Sequence, residues 1–197
     1  MLRDTPNQSV LVAVTEYSSK KYLQLEGLLR PDNGMLITTS RKPSQRTRSF
    51  GRALERVLPS LYLNRGKMSL REVFLKAKEI GSDSVMVISE RDGNPSRLEF
   101  FKSNEVPEAY ILISTDLSQP SGKIQTKNLT LHCEEPALAD FLSNFLEIRL
   151  NNDEDSNLIW IKKTDNAQKT VMEFYDNRGN LIRPRIYLND WRGVAFE

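Results

Sequence analysis

The chain is predicted to fold in the α/β class, with strands and helices packed in layers. Three features predict it. Short runs of apolar and β-branched residues recur along the chain, as in Ser84 to Ser89 (SVMVIS) and Ala109 to Thr115 (AYILIST). Between them lie stretches whose apolar residues repeat at helical spacing. Clusters of Gly, Pro, Asn and Asp separate the two kinds of segment.

In chain order, Ser9 to Val14 reads as a strand and Lys20 to Leu29 as a short helix before the break Pro31-Asp32-Asn33-Gly34. Residues 1–34 are taken as an N-terminal extension. Met35, Leu36 and Ile37 form a buried strand, Thr38 to Pro43 a polar turn, and a helix follows. On that helix Phe50, Ala53, Leu54, Val57 and Leu58 share one side, while Arg48, Arg52 and Arg56 fall on the other. Pro59 and Asn64-Arg65-Gly66-Lys67 interrupt the pattern. Ser69-Leu70-Arg71-Glu72 is a capping box opening a second helix, with Val73, Phe74, Ala77 and Ile80 apolar and Gly81 placed to end it. Ser84 to Ser89 is a strand, Arg91 to Pro95 a turn, and Arg97 to Lys102 the next strand.

A second half is expected to start near Val106-Pro107. Ala109 to Thr115 and Leu129 to Cys133 read as strands, separated by a polar loop. Pro136 suits the first turn of a helix carried by Leu138, Phe141, Leu142, Phe145 and Leu146. After the charged loop Asn151 to Asn157, strands are expected at Leu158 to Lys162 and Thr170 to Tyr175. Asn177-Arg178-Gly179-Asn180 then turns the chain into Leu181 to Leu188. Self-similarity between the halves is not visible in the sequence.

A chain of 197 residues suits one domain, or two small halves packed together. With 39% hydrophobic and 27% charged residues, no apolar run approaches the ~20 residues needed to span a bilayer. The start, Met-Leu-Arg-Asp-Thr-Pro, lacks the layout of a secretory signal. A soluble intracellular protein with no membrane partner is expected. Cys133 is the single cysteine, so no disulfide forms within the chain. The net charge of +2 hides an asymmetry: residues 1–80 carry a net +8 and residues 81–197 a net −6. Such a chain directs its basic part at a polyanion, or keeps its acidic part for a basic protein.

No motif specifies a reaction, and no catalytic residue, cofactor or metal site is expected. His132 is the single histidine and lies on an apolar strand beside Cys133, where a structural role is favoured. Gly66-Lys67-Met68-Ser69 fails as a P-loop, since Leu61 stands where the leading glycine belongs. Glu134-Glu135 precedes a helix and suits its dipole, and Asp153-Glu154-Asp155 lies in a polar loop. Phe100 and Phe101 are adjacent on a strand and must face opposite sides.

Basic chemistry is concentrated. From Arg41 to Arg56 there are six Arg or Lys and one acid, Glu55. A strand feeding a Thr/Ser/Arg/Lys turn at a helix N-terminus aims backbone N–H groups and side-chain donors one way, which suits a phosphate. The alternative is a solvated basic face that binds nothing. Candidate phosphate contacts are Thr38, Thr39, Ser40, Arg41, Lys42, Arg46, Arg48, Arg52 and Arg56, extended by Arg65 and Lys67. Arg178, Arg183 and Arg185, with Tyr187 on the same strand face, form a second candidate group.

The sequence Leu36-Ile37-Thr38-Thr39-Ser40-Arg41-Lys42-Pro43-Ser44, followed by Arg46 and Phe50, resembles the opening motif of the Brix-domain family of ribosome-assembly proteins. Leu63-Asn64-Arg65-Gly66 follows as in the branch belonging to the small-subunit processome. Phe174 with Asn177-Arg178-Gly179, Ile182, Arg185 and Tyr187 is similar to that branch's C-terminal RNA-associated segment. The resemblance covers about residues 35–190. Val106-Pro107-Glu108 departs from the family's usual Gly-Pro-Thr, and the Val-Gly-Pro block after the hairpin is not recognisable.

The likeness implies two similar α/β halves, each like the anticodon-binding domain of class II aminoacyl-tRNA synthetases. They would span about residues 35–105 and 106–190 of one Brix domain, followed by a tail at 191–197. It implies a non-catalytic factor that holds pre-ribosomal RNA during processing and small-subunit assembly, alongside ribosome-assembly or ribosomal proteins. The short chain looks archaeal, and so cytoplasmic; a eukaryotic member would be nucleolar. The competing expectation is a protein-interaction scaffold in ribosome assembly without direct RNA contact.

Overall fold

A computed structural model describes residues 34–102, 105–150, 157–164 and 170–193, all within one unit, residues 33–197. The expected N-terminal strand and helix, the loop at 151–156 and the end of the tail lie outside the described residues.

The first helix forms because Ser44 caps it. The Ser44 hydroxyl accepts from the Thr47 amide at 3.1 Å, and helix α1 (Gln45–Val57) follows strand β1 (Met35–Thr39). Phe50, Ala53, Leu54 and Val57 are buried on one side, as their spacing requires. Strand β2 (Ser60–Tyr62), which the sequence did not announce, pairs parallel with β1. The Ser69/Glu72 capping box is complete and opens α2 (Leu70–Glu79), and Gly81, at φ 75°, lies just beyond the end of the helix.

Strand β3 (Ser84–Arg91) turns through Asp92 and Gly93 into β4 (Asn94–Lys102). Both turn residues have positive φ, 52° and 76°, the pairing a two-residue hairpin of matching twist demands. Strand β5 (Ala109–Asp116) completes the first set.

The second set runs β6 (Leu129–Cys133), α3 (Pro136–Leu146), β7 (Arg149–Leu150), β8 (Asn157–Lys163), β9 (Thr170–Tyr175) and β10 (Leu181–Gly193). Pro136 opens α3 as expected, and Glu147 closes it in the left-handed conformation at φ 53°. Strand β10 passes Leu188 through a bulge and continues to Gly193, so Trp191 and Arg192 are strand rather than tail.

The ten described strands form one sheet in the order β2-β1-β3-β4-β5-β10-β9-β8-β6-β7. Read from either end inward, the order repeats. In each half an edge strand and the third strand flank the first in parallel, and two antiparallel strands follow. The two similar halves are therefore present in topology. They meet where β5 and β10 run antiparallel along their lengths, from Ala109 opposite Gly193 to Asp116 opposite Arg185. The strand count places β5 with the first half, although the sequence boundary near residue 105 gave it to the second.

Helices α1 and α3 lie on one face. Their Phe50, Leu54, Leu138, Phe141 and Phe145 share a continuous core with Ile37, Ile88, Phe100, Ile111, Ile159, Phe174 and Ile186. Helix α2 covers only part of the other face, where Val73, Phe74 and Ala77 pack on Leu36, Val85, Val87 and Phe101. Phe100 and Phe101 do point to opposite cores, each under a helix. Among the described residues no helix is long and apolar enough to cross a membrane.

Candidate nucleic-acid interface

The amphipathic build of α1 fixes where its arginines go. With Phe50, Leu54 and Val57 held in the core, Arg52 and Arg56 are exposed on the far side and Arg48 is half-buried at its flank. Arg41, Lys42, Arg46 and Lys67 are also exposed. Among the described residues none of these cations is in a salt bridge. From Arg41 to Lys67 eight Lys or Arg face one acid, Glu55, whose carboxylate accepts the Tyr62 amide at 2.9 Å. Two guanidinium groups are steadied by neutral acceptors: Arg46 donates to the Thr115 carbonyl at 3.2 Å, and Arg56 to the Ser121 hydroxyl at 2.7 Å. The surface is a cationic stripe on a rigid helix.

The turn before the helix is built differently from the expectation. Thr38 and Thr39 are fully buried, and the Thr38 hydroxyl donates to the Leu63 carbonyl at 2.8 Å. The Thr38 side chain ties β1 to the following loop, and neither threonine reaches the surface. The Ser40 amide donates to the Ile88 carbonyl at 2.8 Å. At the helix N-terminus the anion is already supplied by the protein. The Glu90 carboxylate, at the end of β3, accepts from the Ser44 amide at 2.9 Å and from the Thr47 hydroxyl. Of the donors expected to face a phosphate there, Glu90 therefore takes the Ser44 amide and the Thr47 hydroxyl. Hydrogen bonds from Thr47 and then Ser44 hold the Glu90 pKa below the usual carboxylate range. No local sequence pattern announced Glu90, because the bond spans two strands' worth of chain.

Arg65 is half-buried, donating to the Met68 carbonyl at 3.1 Å and the Thr39 carbonyl at 3.4 Å. It braces the loop after β2 beside the stripe. The second group is less uniformly placed. Arg178 is exposed in the β9–β10 turn, where Asp176 accepts from the Arg178 and Asn180 amides, both at 2.9 Å. Arg183 is half-buried, with its amide donating to the Pro120 carbonyl at 3.0 Å.

Arg185 lies on the sheet face opposite α1 and is engaged by buried Glu173, which also pairs with Lys162 at 3.0 Å and accepts from the Tyr175 hydroxyl at 2.6 Å. Burial pushes the Glu173 pKa up, but the Tyr175 hydroxyl, Lys162 and Arg185 outweigh it and hold it low. Burial and the same carboxylate push the Tyr175 hydroxyl up to about 12. Arg185 and the α1 arginines thus sit on opposite faces of one sheet, while the Arg183 backbone is tied to the loop whose Ser121 accepts from Arg56.

Among the described residues no cluster of three or more His, Cys, Asp or Glu is placed to hold a metal ion. Cys133 is half-buried, and burial raises its thiol pKa, so it is a poor nucleophile.

No family model matches the chain. The sequence is similar to a probable Brix domain-containing ribosomal biogenesis protein of Methanothermobacter thermautotrophicus. The two are 36% identical over 158 residues, covering 80% of this chain and 98% of the relative. A protein of the same description from Methanococcus maripaludis is 35% identical over 133 residues, covering 62% of this chain and 75% of its own. Among solved structures, Mil (Mth680), an archaeal Imp4-like protein, matches with a TM-score of 0.70 at 35% identity, covering 81% of this chain and 99% of that one. A probable ribosomal biogenesis protein from Aeropyrum pernix K1 shares the fold, with a TM-score of 0.66 at 23% identity over 80% of this chain and 96% of that one.

Proposed function

The chain belongs to the family of Brix domain-containing ribosomal biogenesis proteins, and from that premise we propose that it binds pre-ribosomal RNA through the α1 stripe. It acts without chemistry of its own, holding RNA segments in place during pre-rRNA processing and small-subunit assembly among other assembly proteins. The observation that carries this reading is the exposed row of Arg41, Lys42, Arg46, Arg52 and Arg56, without a salt-bridge partner among the described residues and backed by a buried helix face. Guanidinium groups presented at one-turn spacing along a rigid helix can reach successive phosphates without much loss of side-chain freedom. Arg48, Arg65 and Lys67 flank that row. Arg178 and Arg183 form a second contact from the β9–β10 hairpin, and Arg185, held by Glu173 on the far face of the sheet, is its least available member.

The test is a titration of the full chain with labelled pre-rRNA fragments over a range of salt. Affinity falls with log[salt] at a slope of about −0.7 to −0.9 per phosphate contacted. The double variant Arg41→Glu, Arg52→Glu weakens binding by at least about tenfold at ~0.1 M salt and flattens the slope by about two contacts. Its melting temperature stays near that of the parent, since both side chains are exposed. Unchanged affinity and slope in the folded variant would falsify the assignment.

A further inference from the structure

The connectivity of the first half opens a seam at one end of the sheet. Strand β1 is flanked in parallel by β2 and β3. The helix leaving β1 packs on one face, and the helix leaving β2 packs on the other. Their connections therefore part at the carboxyl ends of two neighbouring strands, the place where open α/β sheets take ligands. Here the parting loops carry Arg41 and Lys42 on one side and Arg65 and Lys67 on the other.

Thr39 and Tyr62 end β1 and β2 with their side chains on the α1 face. The Tyr62 ring lies against the backbone of α1 at Gly51, where a Cβ would overlap it. That packing carries its hydroxyl towards Thr39, Arg48 and Arg52, facing Thr39 without reaching bonding geometry. The Thr39 hydroxyl, the Tyr62 hydroxyl and the Arg48 Nε are all buried without a hydrogen-bond partner. Folded proteins leave few such atoms, and three in one place mark a missing partner. Arg65 reaches the same spot from the other loop, donating to the Thr39 carbonyl at 3.4 Å.

The charge around the seam is one-sided. Burial and then the neighbouring Arg41 lower the Arg65 pKa, as cations do when crowded together. Of the acids nearby, Glu55 accepts the Tyr62 amide at 2.9 Å, Glu72 completes the cap of α2, and Glu99 pairs with Arg97 at 3.6 Å.

We propose that this seam is a seat for one phosphate group, gripped by Arg48, Arg52 and Arg65 with the Tyr62 and Thr39 hydroxyls beneath it. A phosphate offers several acceptor oxygens to donors arriving from different sides, which suits guanidinium forks backed by hydroxyls. Only the identity of the carrier rests on the RNA reading above; the affinity for phosphate does not. On an RNA, the seat fixes one phosphate in register while the exposed α1 arginines meet its neighbours.

Inorganic phosphate titrated into the full-length protein at constant ionic strength tests the seat, read by phosphorus NMR linewidth and by melting temperature. Saturable binding with a Kd on the order of 1 mM is expected. Tyr62→Phe keeps the ring against Gly51 and removes one hydroxyl, whereas Arg48→Lys keeps the charge and removes the fork. Each should weaken phosphate about tenfold. Oligouridylate, made with and without a terminal phosphate, then identifies the carrier. Displacement by both forms points to an internal diester, and displacement by the phosphorylated form alone points to a chain end. A seat that yields to neither excludes RNA as the carrier and leaves a free phosphate compound. No saturation up to about 50 mM overturns the seat. Equal saturation in the parent and both variants shows an adventitious ion only, and overturns it as well. If Tyr62→Phe melts far below the parent, Arg48→Lys decides alone.

Discussion

Glu90 offers the clearest single-residue experiment. Its carboxylate closes the start of α1 from a distant strand, and hydrogen bonds from Thr47 and Ser44 keep it ionised below the ordinary carboxylate range. A depressed pKa contributes stability that is present above the unfolded value, about 4.3, and is lost as pH falls through the folded value. Glu90→Gln should therefore be less stable than the parent at pH 7, with the gap closing below about pH 4. Urea titrations at both pH values read it directly, and a gap indifferent to pH would remove the carboxylate from this role.

Gly51 is a second case. Alanine would gain about 1 kcal/mol in an exposed helix, yet a Cβ here would overlap the Tyr62 ring. Gly51→Ala should destabilise by about 1–3 kcal/mol, and Tyr62→Leu should return much of the loss in a double-mutant cycle.

At the scale of elements, the three strands β8, β9 and β10 are tied by one buried carboxylate. Glu173 is 3% exposed and serves Lys162, Arg185 and Tyr175 together. Glu173→Gln should cost about 2–3 kcal/mol, at or just below the range of about 3–5 kcal/mol for breaking a fully buried pair because both cations keep some access to water. Loss of less than half a kcal/mol in chemical denaturation would show the network to be ornamental to stability. Local rules read these elements well where the cause is local. The 3.6-residue spacing from Phe50 to Val57, the Ser69–Glu72 box and Pro136 before α3 each act within one turn of helix, and each was legible. Strand β2 and the two-residue β7 were not, because they exist only through their pairing with β1 and β6. The candidate site divides along the same line. Exposed Arg52 and Arg56 followed from periodicity, while the capture of the helix N-terminus by Glu90 and of Arg185 by Glu173 are long-range bonds that no spacing encodes.

For the whole molecule, the order of strands in the sheet sets where stability is concentrated. The middle of the sheet should be its firmest part, since β4, β5, β10 and β9 have partners on both sides and the short strands β2 and β7 do not. Hydrogen exchange by mass spectrometry should find the slowest amides in those four central strands and the fastest in the two edges; uniform exchange across the sheet would contradict this.

The joint between β5 and β10 has one more effect, and it concerns time. During synthesis strands β1 to β5 emerge with an unpaired edge carrying Ile111, Leu112 and Ile113, and the strand that closes it, β10, is the last of the described strands to be made. Until then the nascent protein presents a bare template for any stray extended segment, a hazard resolved only when its own final strand arrives.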